Sequence, residues 1–515
     1  MKKLILFCFL YSNTIIGQQI TFNVQSNFGY KYLHLTNILP TDSCYYVTGV
    51  ITDTSNQQYN FGSLFIKFNL DSDTILTKKL VASSKDYLTW NTGLLATPSG
   101  NLATAGESDD TIEKIFFMVY SPEGDTLLTK EFTNPNYPTG TLIAPIDLKR
   151  HEHGYYLTGT FLPSTDNVKN QTVVLKLDEE GNLMQQKTYG SNVTEMVGST
   201  LTEPDGGLII GAWKTNYNYV SKNYLSRTYI LKVDSLGTVE WEYQSPSGQL
   251  WDMAKSIVKT PDSGLVVASG KGIEHVVNPE INILLWQGYI FKLNSNHQFV
   301  WGRELRGTRH SGRPAFAKVV AATDGTGYVA YGRLGEDVST GTEVQGSWFV
   351  KLSNQGDSLW ARYYSVFDGH LKSPTPDDFK ATPDGGYIVS GHTQEGLENW
   401  GWLMKLDSFG CLVPGCNAND GPNAATEQLQ DLRLAIYPNP TTDFLNFELR
   451  TPQLLPAASF RILDSSGQAV KEIASNYPRD TFIVPVREWA AGAYFLQYVE
   501  GGEVRATERF MVVKK

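Results

Sequence analysis

The chain has 515 residues, of which 41% are hydrophobic and 12% aromatic, so it can form more than one buried core and is too apolar for a disordered protein. Its formal net charge is −10, and it has no block of Lys and Arg residues. Because such a chain repels the phosphate backbone, we do not expect nucleic acid as a partner. No stretch repeats apolar residues at helical spacing over several turns, and Tyr, Phe, Thr and Val are frequent, which predicts an all-β fold.

The first residues form a predicted signal peptide. Residues 1–17, MKKLILFCFLYSNTIIG, combine a short basic start with an apolar run too short for a membrane span. Cleavage after Gly17 would leave Gln18 as the mature N-terminus; the alternative is that the run is a buried first strand. Cys8 has no small residues before it, so a lipid anchor is not expected. No later stretch is apolar enough to cross a bilayer, and we expect an exported mature chain without a transmembrane segment.

Residues 18–416 consist of one repeated unit. Its first anchor is a Lys-apolar-Asp turn, as in VLKLD or FVKLS, which recurs every 52 to 60 residues. The anchor lysines are Lys67, Lys176, Lys232, Lys292, Lys351 and Lys405, with Val119 in the second copy. Three residues after the Asp position, most copies have a glycine, namely Gly124, Gly181, Gly237, Gly356 and Gly410. This pattern predicts a turn with positive φ, which glycine adopts without steric cost.

The second anchor is a tight turn before an apolar run, as in PDGGYIVSG at 383–391 or HGYYLTG at 153–159. It predicts a hairpin between two strands. Each unit then has four strands in a meander of the length of one propeller blade. Seven such units predict a seven-bladed β-propeller over residues 18–416.

Tryptophan occupies the same place in three copies, seven residues after the Asp position: Trp241, Trp301 and Trp360. Because large aromatic side chains bury much apolar area, we interpret these residues as packing between blades. The alternative is that they are platforms on which sugars stack.

The seventh copy, KLDSFGCLVPGC at 405–416, has Pro414 at the tryptophan position. Proline cannot donate to a strand ladder, so this unit lacks a fourth strand of its own. The segment QITFNVQSNFG at 19–29 has the matching apolar spacing in Ile20 and Val24. We predict that it pairs beside residues 401–407 and closes the ring, which removes open sheet edges.

Two of the cysteines, Cys411 and Cys416, lie on either side of a Val-Pro-Gly turn in a chain bound for an oxidising compartment, which indicates a disulfide. We do not expect Cys411 and Cys416 to bind a metal ion, because no further His or Cys lies near them in the sequence. Cys44 is predicted to be a free thiol; pairing with one end of the GCLVPGC segment is the alternative.

The C-terminal part is predicted to be a separate unit. Residues 417–431 are rich in Asn, Ala and Gly and are expected to form a linker. Residues 432–515 alternate apolar positions with short turns, which predicts a small immunoglobulin-like β-sandwich.

This C-terminal part resembles the type A C-terminal sorting domain of the type IX (Por) secretion system of Bacteroidetes. The matching residues are Tyr437, Pro438, Asn439, Pro440, Asp443, Gly467, Gly492, Tyr494, Lys514 and Lys515. The resemblance implies export across both membranes, recognition by the outer-membrane translocon and removal by a sortase. The passenger would then be released or attached to surface lipopolysaccharide. An ordinary immunoglobulin-like module is the alternative.

The repeats resemble those of secreted propeller-like proteins in such bacteria, with DGGY-apolar-G followed by KLD-turn-G-Trp. The repeats also resemble, more loosely, the blade repeat of quinoproteins. The sequence has no adjacent cysteine pair or other set of residues that could hold a quinone, so no cofactor is expected.

The sequence contains no GxSxG or HExxH motif, no phosphate-binding loop and no dinucleotide-binding fingerprint. We therefore predict no catalytic or metal-binding residues. His151 and His153 alternate in RHEHG and fall in the turn before a strand, so we expect a solvated turn there, with a metal site as the alternative. The residues expected on an exposed propeller face are His310, Arg313, Asp368, His370, Asp377 and Asp378. The acidic turn at 71–73 lacks a complete set of calcium ligands.

Two functions fit these observations. We predict a non-catalytic surface or secreted propeller that binds a glycan or protein through its variable loops. The alternative is an extracellular glycan-active hydrolase or lyase with its site at the central funnel. Charged groups and histidines from several blades at one mouth would favour the enzyme, and unrelated polar and aromatic groups would favour binding.

Overall fold

The structure is a computed structural model that describes most of the chain between Gln19 and Lys514. The described residues are 19–53, 60–80, 86–90, 93–109, 114–133, 143–161, 170–190, 193–218, 223–246, 252–277, 282–305, 315–334, 346–364, 366–367, 370–371, 373–395, 398–412, 416, 433–437, 439–450, 458–475, 481–500 and 502–514. The predicted signal peptide and linker lie outside these ranges, as do His310, Arg313, Asp368, Pro414, Pro438 and Lys515.

Every regular element of the described residues is a β-strand, which confirms the all-β prediction. The strands of the first three repeats and the segment before them are β1 (Phe22–Ser26), β2 (Leu33–Pro40), β3 (Tyr45–Asp53), β4 (Asn60–Phe68), β5 (Thr74–Leu80), β6 (Asp86–Leu88), β7 (Leu94–Ala96), β8 (Leu102–Asp109), β9 (Lys114–Tyr120), β10 (Thr126–Phe132), β11 (Ile143–His151), β12 (Gly154–Phe161), β13 (Gln171–Leu177) and β14 (Leu183–Tyr189).

The later repeats contribute β15 (Thr194–Thr202), β16 (Leu208–Asn218), β17 (Asn223–Val233), β18 (Val239–Gln244), β19 (Asp252–Lys259), β20 (Leu265–Val277), β21 (Asn282–Leu293), β22 (Phe299–Leu305), β23 (Ala315–Ala321), β24 (Gly327–Leu334), β25 (Gly346–Ser353), β26 (Ser358–Tyr364), β27 (Val366–Phe367), β28 (His370–Leu371), β29 (Ser373–Ala381), β30 (Tyr387–Glu395) and β31 (Glu398–Leu406). The C-terminal part contributes β32 (Arg433–Tyr437), β33 (Phe444–Arg450), β34 (Ala458–Leu463), β35 (Ala469–Ser475), β36 (Thr481–Pro485), β37 (Gly492–Glu500) and β38 (Glu503–Val512).

Within the described residues, the repeats form seven antiparallel sheets of four or five strands, one for each copy, and a two-stranded sheet, β27-β28. Five of them are plain meanders of four consecutive strands, β2–β5, β11–β14, β15–β18, β19–β22 and β23–β26. In the second copy the first strand is divided into β6 and β7, which both pair with β8. The Asn37 side chain of the first sheet bonds the residues next to these two pieces: its Nδ2 donates to Thr89 O (3.1 Å) and its Oδ1 accepts from Gly93 N (2.6 Å).

The N-terminal segment supplies the fourth strand of the last sheet, as predicted. The order of that sheet is β1-β31-β30-β29, with Phe22 opposite Lys405 and Ser26 opposite Gly401. Trp402 Nε1 donates to Asn23 Oδ1 at 2.7 Å, so the pairing includes a buried side-chain bond.

The first strands of the sheets contact one another in a cycle. β2 contacts β7, β7 contacts β11, and the series continues through β15, β19, β23 and β29, which contacts β2 again. Hydrophobic clusters fill the spaces between neighbouring sheets, for example where Phe117 packs on Tyr155.

The turn between the third and fourth strands has a residue with positive φ in all seven copies. The five predicted glycines are confirmed at this position, with φ between 69° and 85°. Ser72 (φ 71°) and His297 (φ 61°) take the same conformation in the first and fifth copies.

The tryptophans pack between sheets, which confirms the structural interpretation. Trp301 is 9% exposed, and a Cβ on Gly356 in the next sheet would lie 2.7 Å from its ring. Trp360 is 6% exposed and has the same relation to Gly410, at 2.4 Å. Trp241 stacks on His297 with ring centroids 3.6 Å apart.

The two anchors of the repeat are joined by ion pairs. In the last four copies the anchor lysine bonds the Asp of the hairpin turn: Lys232 with Asp205, Lys292 with Asp262, Lys351 with Asp324 and Lys405 with Asp384, at 2.6–2.9 Å. In the first and third copies the lysine lies over a tyrosine ring instead, Lys67 over Tyr46 and Lys176 over Tyr156. The second copy lacks both charges, since Val119 and Ser99 occupy the two positions.

Cys411 and Cys416 form a disulfide, while Cys44 is buried and free. Cys44 Sγ lies 3.4 Å from Thr41 Oγ1 within the β2–β3 turn. The alternative of a Cys44 disulfide is therefore not realised.

The C-terminal part contains a three-stranded sheet, β32-β33-β36, and a four-stranded sheet, β35-β34-β37-β38. The two sheets share one hydrophobic core that includes Phe447, Phe460 and Tyr498. Two of its side chains, Phe444 and Ile483, pack instead on the cluster around Trp360 and Leu412 of the repeats.

A groove of about 1260 Å³ separates the C-terminal part from the repeats. It is lined by β1, by the β4–β5 turn and by residues 441–444 and 483–489. Among the described residues, no helix has the length and apolar character of a membrane span.

Candidate functional site

A one-residue β-bulge interrupts the first strand in six of the seven sheets. The extra residues are Thr36, Ile146, Gly198, Lys255, Ala317 and Asp377. A bulge changes the direction of the side chains beside it, and here it does so on the strands that face one another at the centre.

The residue after each bulge links its sheet to a neighbour. Five of these side chains accept a hydrogen bond from a backbone N–H of the following sheet: Asn37 from Gly93, Asp147 from Thr200, Ser199 from Ile257, Ser256 from Val319 and Asp378 from Ile38, at 2.6–3.1 Å. The sixth, Lys318, donates to Asp378 at 2.5 Å. The last sheet is thus bonded to the first.

Asp378 is the most enclosed charge of this set, with a side chain that is 0% exposed. Burial by itself would raise the pKa of this carboxyl, but the ammonium groups of Lys318 and Lys380 outweigh burial and hold the pKa well below its usual range. The same pair raises the pKa of Lys318 against the effect of burial. Asp378 therefore stays ionised and serves as a structural link rather than as a proton donor.

Beside this link, at the start of β2 and the end of β30, lies a group that we name the histidine cluster: Tyr32, His34, Asp377, His392 and Asn399. His392 Nδ1 lies 3.1 Å from Asp377 Oδ2. The imidazoles of His34 and His392 stack with centroids 3.3 Å apart and planes 3° from parallel. Asn399 Nδ2 lies 2.9 Å from His34 Nε2, and Tyr32 OH lies 3.4 Å from His34 Nδ1. Two sheets thus contribute to one cluster.

The surroundings of His34 favour the neutral form of its imidazole. Burial, together with the neighbouring His392, lowers the pKa of His34 to about 3. His34 is 8% exposed, and the side chains of Asp377 and His392 are 11% and 13% exposed. Trp90 places its ring edge-on to His34 at 6.1 Å. The cluster therefore combines a carboxylate, two imidazole rings, an amide and two further aromatic rings.

The cluster and the C-terminal part lie at opposite ends of the sheets. His34 is near the beginning of β2, and His392 is near the end of β30, close to the β30–β31 connection. The groove beside the C-terminal part is lined by the β4–β5 turn, at the end of the sheets to which β2 runs. The cluster is therefore not covered by the C-terminal part.

Of the residues in this cluster, only Asp377 was among the candidates that the sequence indicated. Asp377 and Asp378 were expected on an exposed face; Asp377 does join the cluster, whereas Asp378 is buried. The side chain of His370 lies outside the described part. His34 and His392 have no motif around them, and only their pairing across two sheets identifies them.

Of the RHEHG histidines, His153 lies in the β11–β12 turn, as the solvated-turn expectation predicted, whereas His151 is the last residue of β11 and is partly buried. The His153 side chain is 82% exposed and contacts Glu152 at 3.8 Å. His151 Nδ1 accepts from His153 N at 3.2 Å. Within the described residues, the group able to hold a metal ion is instead His34, Asp377 and His392.

The residues matched to the sorting motif tie the C-terminal part together. Asn439 bonds the last strand through Arg509 O (3.0 Å) and Met511 N (2.9 Å). Asp443 pairs with Arg487 at 2.9 Å, and Lys514 Nζ donates to Arg487 O. The remaining described residues of the motif have these places: Tyr437 ends β32, Pro440 is exposed beside Asn439, Gly467 has φ 84° in the β34–β35 turn, Gly492 begins β37, and Tyr494 OH donates to Ala490 O.

Comparison with known families identifies this part. Residues 435–514 match the secretion system C-terminal sorting domain. The C-terminal part is a sorting domain. The chain is therefore exported across the outer membrane and is either secreted or attached to the cell surface. A partnership with the secretion machinery follows from the same match.

No curated protein matches the chain. Several solved structures resemble its fold. The periplasmic gluconolactonase of Pseudomonas aeruginosa is 12% identical, with a TM-score of 0.42 over 88% of this chain and 98% of that one. The β-propeller domain of the Trilobed protease of Pyrococcus furiosus is 11% identical, with a TM-score of 0.42 over 74% and 96%. A protein of unknown function from Bacteroides caccae is 9% identical, with a TM-score of 0.30 over 53% and 81%.

Proposed function

We propose that this chain is an exported seven-bladed β-propeller that binds an extracellular glycan or protein without catalysis. The mature chain would begin at Gln18, with the propeller over 18–416, a linker over 417–431 and an immunoglobulin-like sorting domain over 432–515. The cyclic contacts of the first strands, the bonds from Asp378 to Ile38 and the pairing of β1 with β31 support a closed ring.

The sorting domain is proposed to be of type A and to act before the propeller does. The translocon would recognise it, a sortase would remove it, and the propeller would be released or attached to lipopolysaccharide. The position of the histidine cluster at the other end of the sheets supports this order, because removal of the domain leaves the cluster unchanged.

The observation that carries the binding proposal is the composition of the histidine cluster. Tyr32, Trp90 and Asn399, each partly exposed, place two aromatic rings and an amide beside the two imidazoles, a combination suited to polar ligands with apolar faces. Glycoside hydrolysis needs two carboxyl groups with different proton affinities. Asp377 is the one carboxylate of the cluster, and its neighbour Asp378 is held ionised by Lys318.

One contact favours the alternative, an extracellular glycan-active hydrolase or lyase. The hydrogen bond between Asp377 and His392 orients an imidazole as in a proton-transfer pair. In this case the cluster would take a proton from a bound substrate.

A binding and activity screen on the mature chain separates the two functions. We expect retention on a glycan or matrix-protein array that is lost in Trp90→Ala, with no turnover in a broad hydrolase and lyase screen. Turnover that disappears in His392→Ala while binding persists would favour the enzyme. Val300→Ala is a matched control on an exposed outer strand, where the side chain is 50% exposed.

A further inference from the structure

The geometry points to a metal site in the histidine cluster: we propose that His34, Asp377 and His392 bind a divalent transition-metal ion such as Zn²⁺. One ligand atom from each residue lies within 4.8 Å of the other two. Two imidazoles and one carboxylate form a donor set that Zn²⁺ accepts, with one coordination position left for a ligand or water. This inference is independent of whether the propeller binds a glycan or a protein.

The scaffold that positions the three residues is rigid. Asp377 is the bulged residue of β29 and His392 lies on its neighbour β30, so one sheet fixes both. His34 belongs to β2 of the next sheet, and the bond from Ile38 N to Asp378 Oδ2 (3.1 Å) holds that strand against β29. Without the bulge, Asp377 and Asp378 would point to opposite faces of the sheet.

Two of the ligand atoms are already near coordination distance from each other. His392 Nδ1 and Asp377 Oδ2 are 3.1 Å apart. Ligands about 2.0–2.1 Å from a tetrahedral Zn²⁺ are separated by roughly 3.3 Å. An ion would therefore replace the proton between these atoms with little movement of either side chain.

His34 is the ligand that has to move. Its ring is parallel to His392 at 3.3 Å, whereas imidazole lone pairs lie in the plane of the ring, so one ion cannot meet both rings in this stacked arrangement. A tilt of His34 brings one nitrogen toward the ion. Asn399 contacts Nε2 and Tyr32 contacts Nδ1, so one of these two residues remains beside whichever nitrogen is not bound to the ion. Such outer partners orient metal-bound histidines in general.

Metal retention by the full mature chain tests the proposal. The protein is stripped with EDTA, loaded with ZnCl₂, dialysed and analysed for bound zinc. We expect one ion per chain in the wild type and at least ~10-fold weaker binding in His392→Asn and Asp377→Asn. His153→Asn removes an exposed histidine at the other end of the sheets and should retain the ion in full.

Thermal unfolding in EDTA checks that the variants are folded, and Co²⁺ absorption of the wild type provides a readout that needs no variant. If the site exists, we expect the Co²⁺-loaded wild type to show visible absorption bands typical of Co²⁺ bound by nitrogen and oxygen ligands in a low-symmetry geometry. Failure of the wild type to retain zinc, or equal retention by folded wild type, His392→Asn and Asp377→Asn, would overturn it.

Discussion

The anchor lysine of the sixth copy, Lys351, is a buried charge that pairs with the aspartate of the hairpin turn. The Lys351 side chain is 7% exposed, while that of its partner Asp324 is 49% exposed. Removal of the aspartate leaves an enclosed ammonium without its partner, whereas removal of the lysine leaves a carboxylate that water can solvate. The second copy of the repeat, with Val119 and Ser99, replaces both at once.

We therefore expect Asp324→Ser to lower the free energy of unfolding by about 2 kcal/mol, and Lys351→Val added to it to restore part of that loss. Urea unfolding of the two single variants and the double variant measures the coupling. Simple addition of the two single effects would contradict the dependence of the lysine on this aspartate.

A side chain at a turn glycine can destabilise the fold in two ways, by backbone strain at positive φ and by a steric clash, and two of the glycines separate these effects. Gly410 has φ 69°, and a Cβ there would lie 2.4 Å from Trp360. Gly325 has φ 70° with no atom within 4 Å of its Cβ position. Gly410→Ala should cost about 3 kcal/mol, from backbone strain and a clash with the buried ring, and Gly325→Ala about 1 kcal/mol, from strain alone. Thermal unfolding of both variants compares them, and equal losses would show that the tryptophan contact is unimportant.

At the scale of strands, the bulges of the first strands join sheets that are otherwise held by apolar packing. Asp378 on β29 accepts from Ile38 on β2 and pairs with Lys318 on β23, so one carboxylate joins three strands of three sheets. Links of this kind restrict the relative positions of the sheets, which apolar contacts do not fix as closely.

Asp378→Asn should lower the free energy of unfolding by about 3 kcal/mol at neutral pH, because it leaves Lys318 without its counter-charge. The pKa of Asp378 is lowered in the folded protein, so its stabilisation is present above about pH 4 and is lost as the pH falls through the lowered pKa. Denaturation of wild type and variant at pH 7 and below pH 4 should show the difference shrinking with acid.

Asp357→Asn is the matched control, since Asp357 is 71% exposed and only 3.7 Å from Arg303. It should change stability by less than about 1 kcal/mol at either pH. A pH-independent difference between wild type and Asp378→Asn would contradict the assignment of this link to an ionised carboxylate.

At the scale of the whole molecule, the sorting domain and the histidine cluster lie at opposite ends of the sheets. The sorting domain has its own core and touches the repeats through few side chains, among them Phe444 and Ile483. The histidine cluster lies at the other end. Export and ligand binding are thus expected to be separable by truncation.

Deletion of residues 432–515 should block delivery of the repeats to the cell surface or medium and leave them folded inside the cell envelope. Fractionation with immunodetection measures the location, and protease resistance measures folding. Asp443→Asn in the full chain, which weakens the contacts of this side chain with Arg487 and Thr442, is a milder variant. Normal surface delivery of the truncated chain would contradict the role of the sorting domain.

Local patterns were sufficient for much of the fold. Turn glycines, the spacing of the Lys-apolar-Asp anchors and the proline in the last copy act over a few residues, so the repeat count, the positive-φ turns and the N-terminal strand beside β31 could be read in advance. The same holds for the sorting domain, whose motif consists of short runs in a fixed order between Tyr437 and Lys515.

The sequence by itself thus determined the repeated all-β architecture and the export of the chain, because both are written in short-range patterns. Only the tertiary structure decided which residues meet. His34 and Asn399, 365 residues apart, are neighbours because the last sheet packs on the first. A single bulge in β29 turns Asp377 toward them while Asp378 bonds the next sheet, and no local pattern distinguishes the two adjacent aspartates.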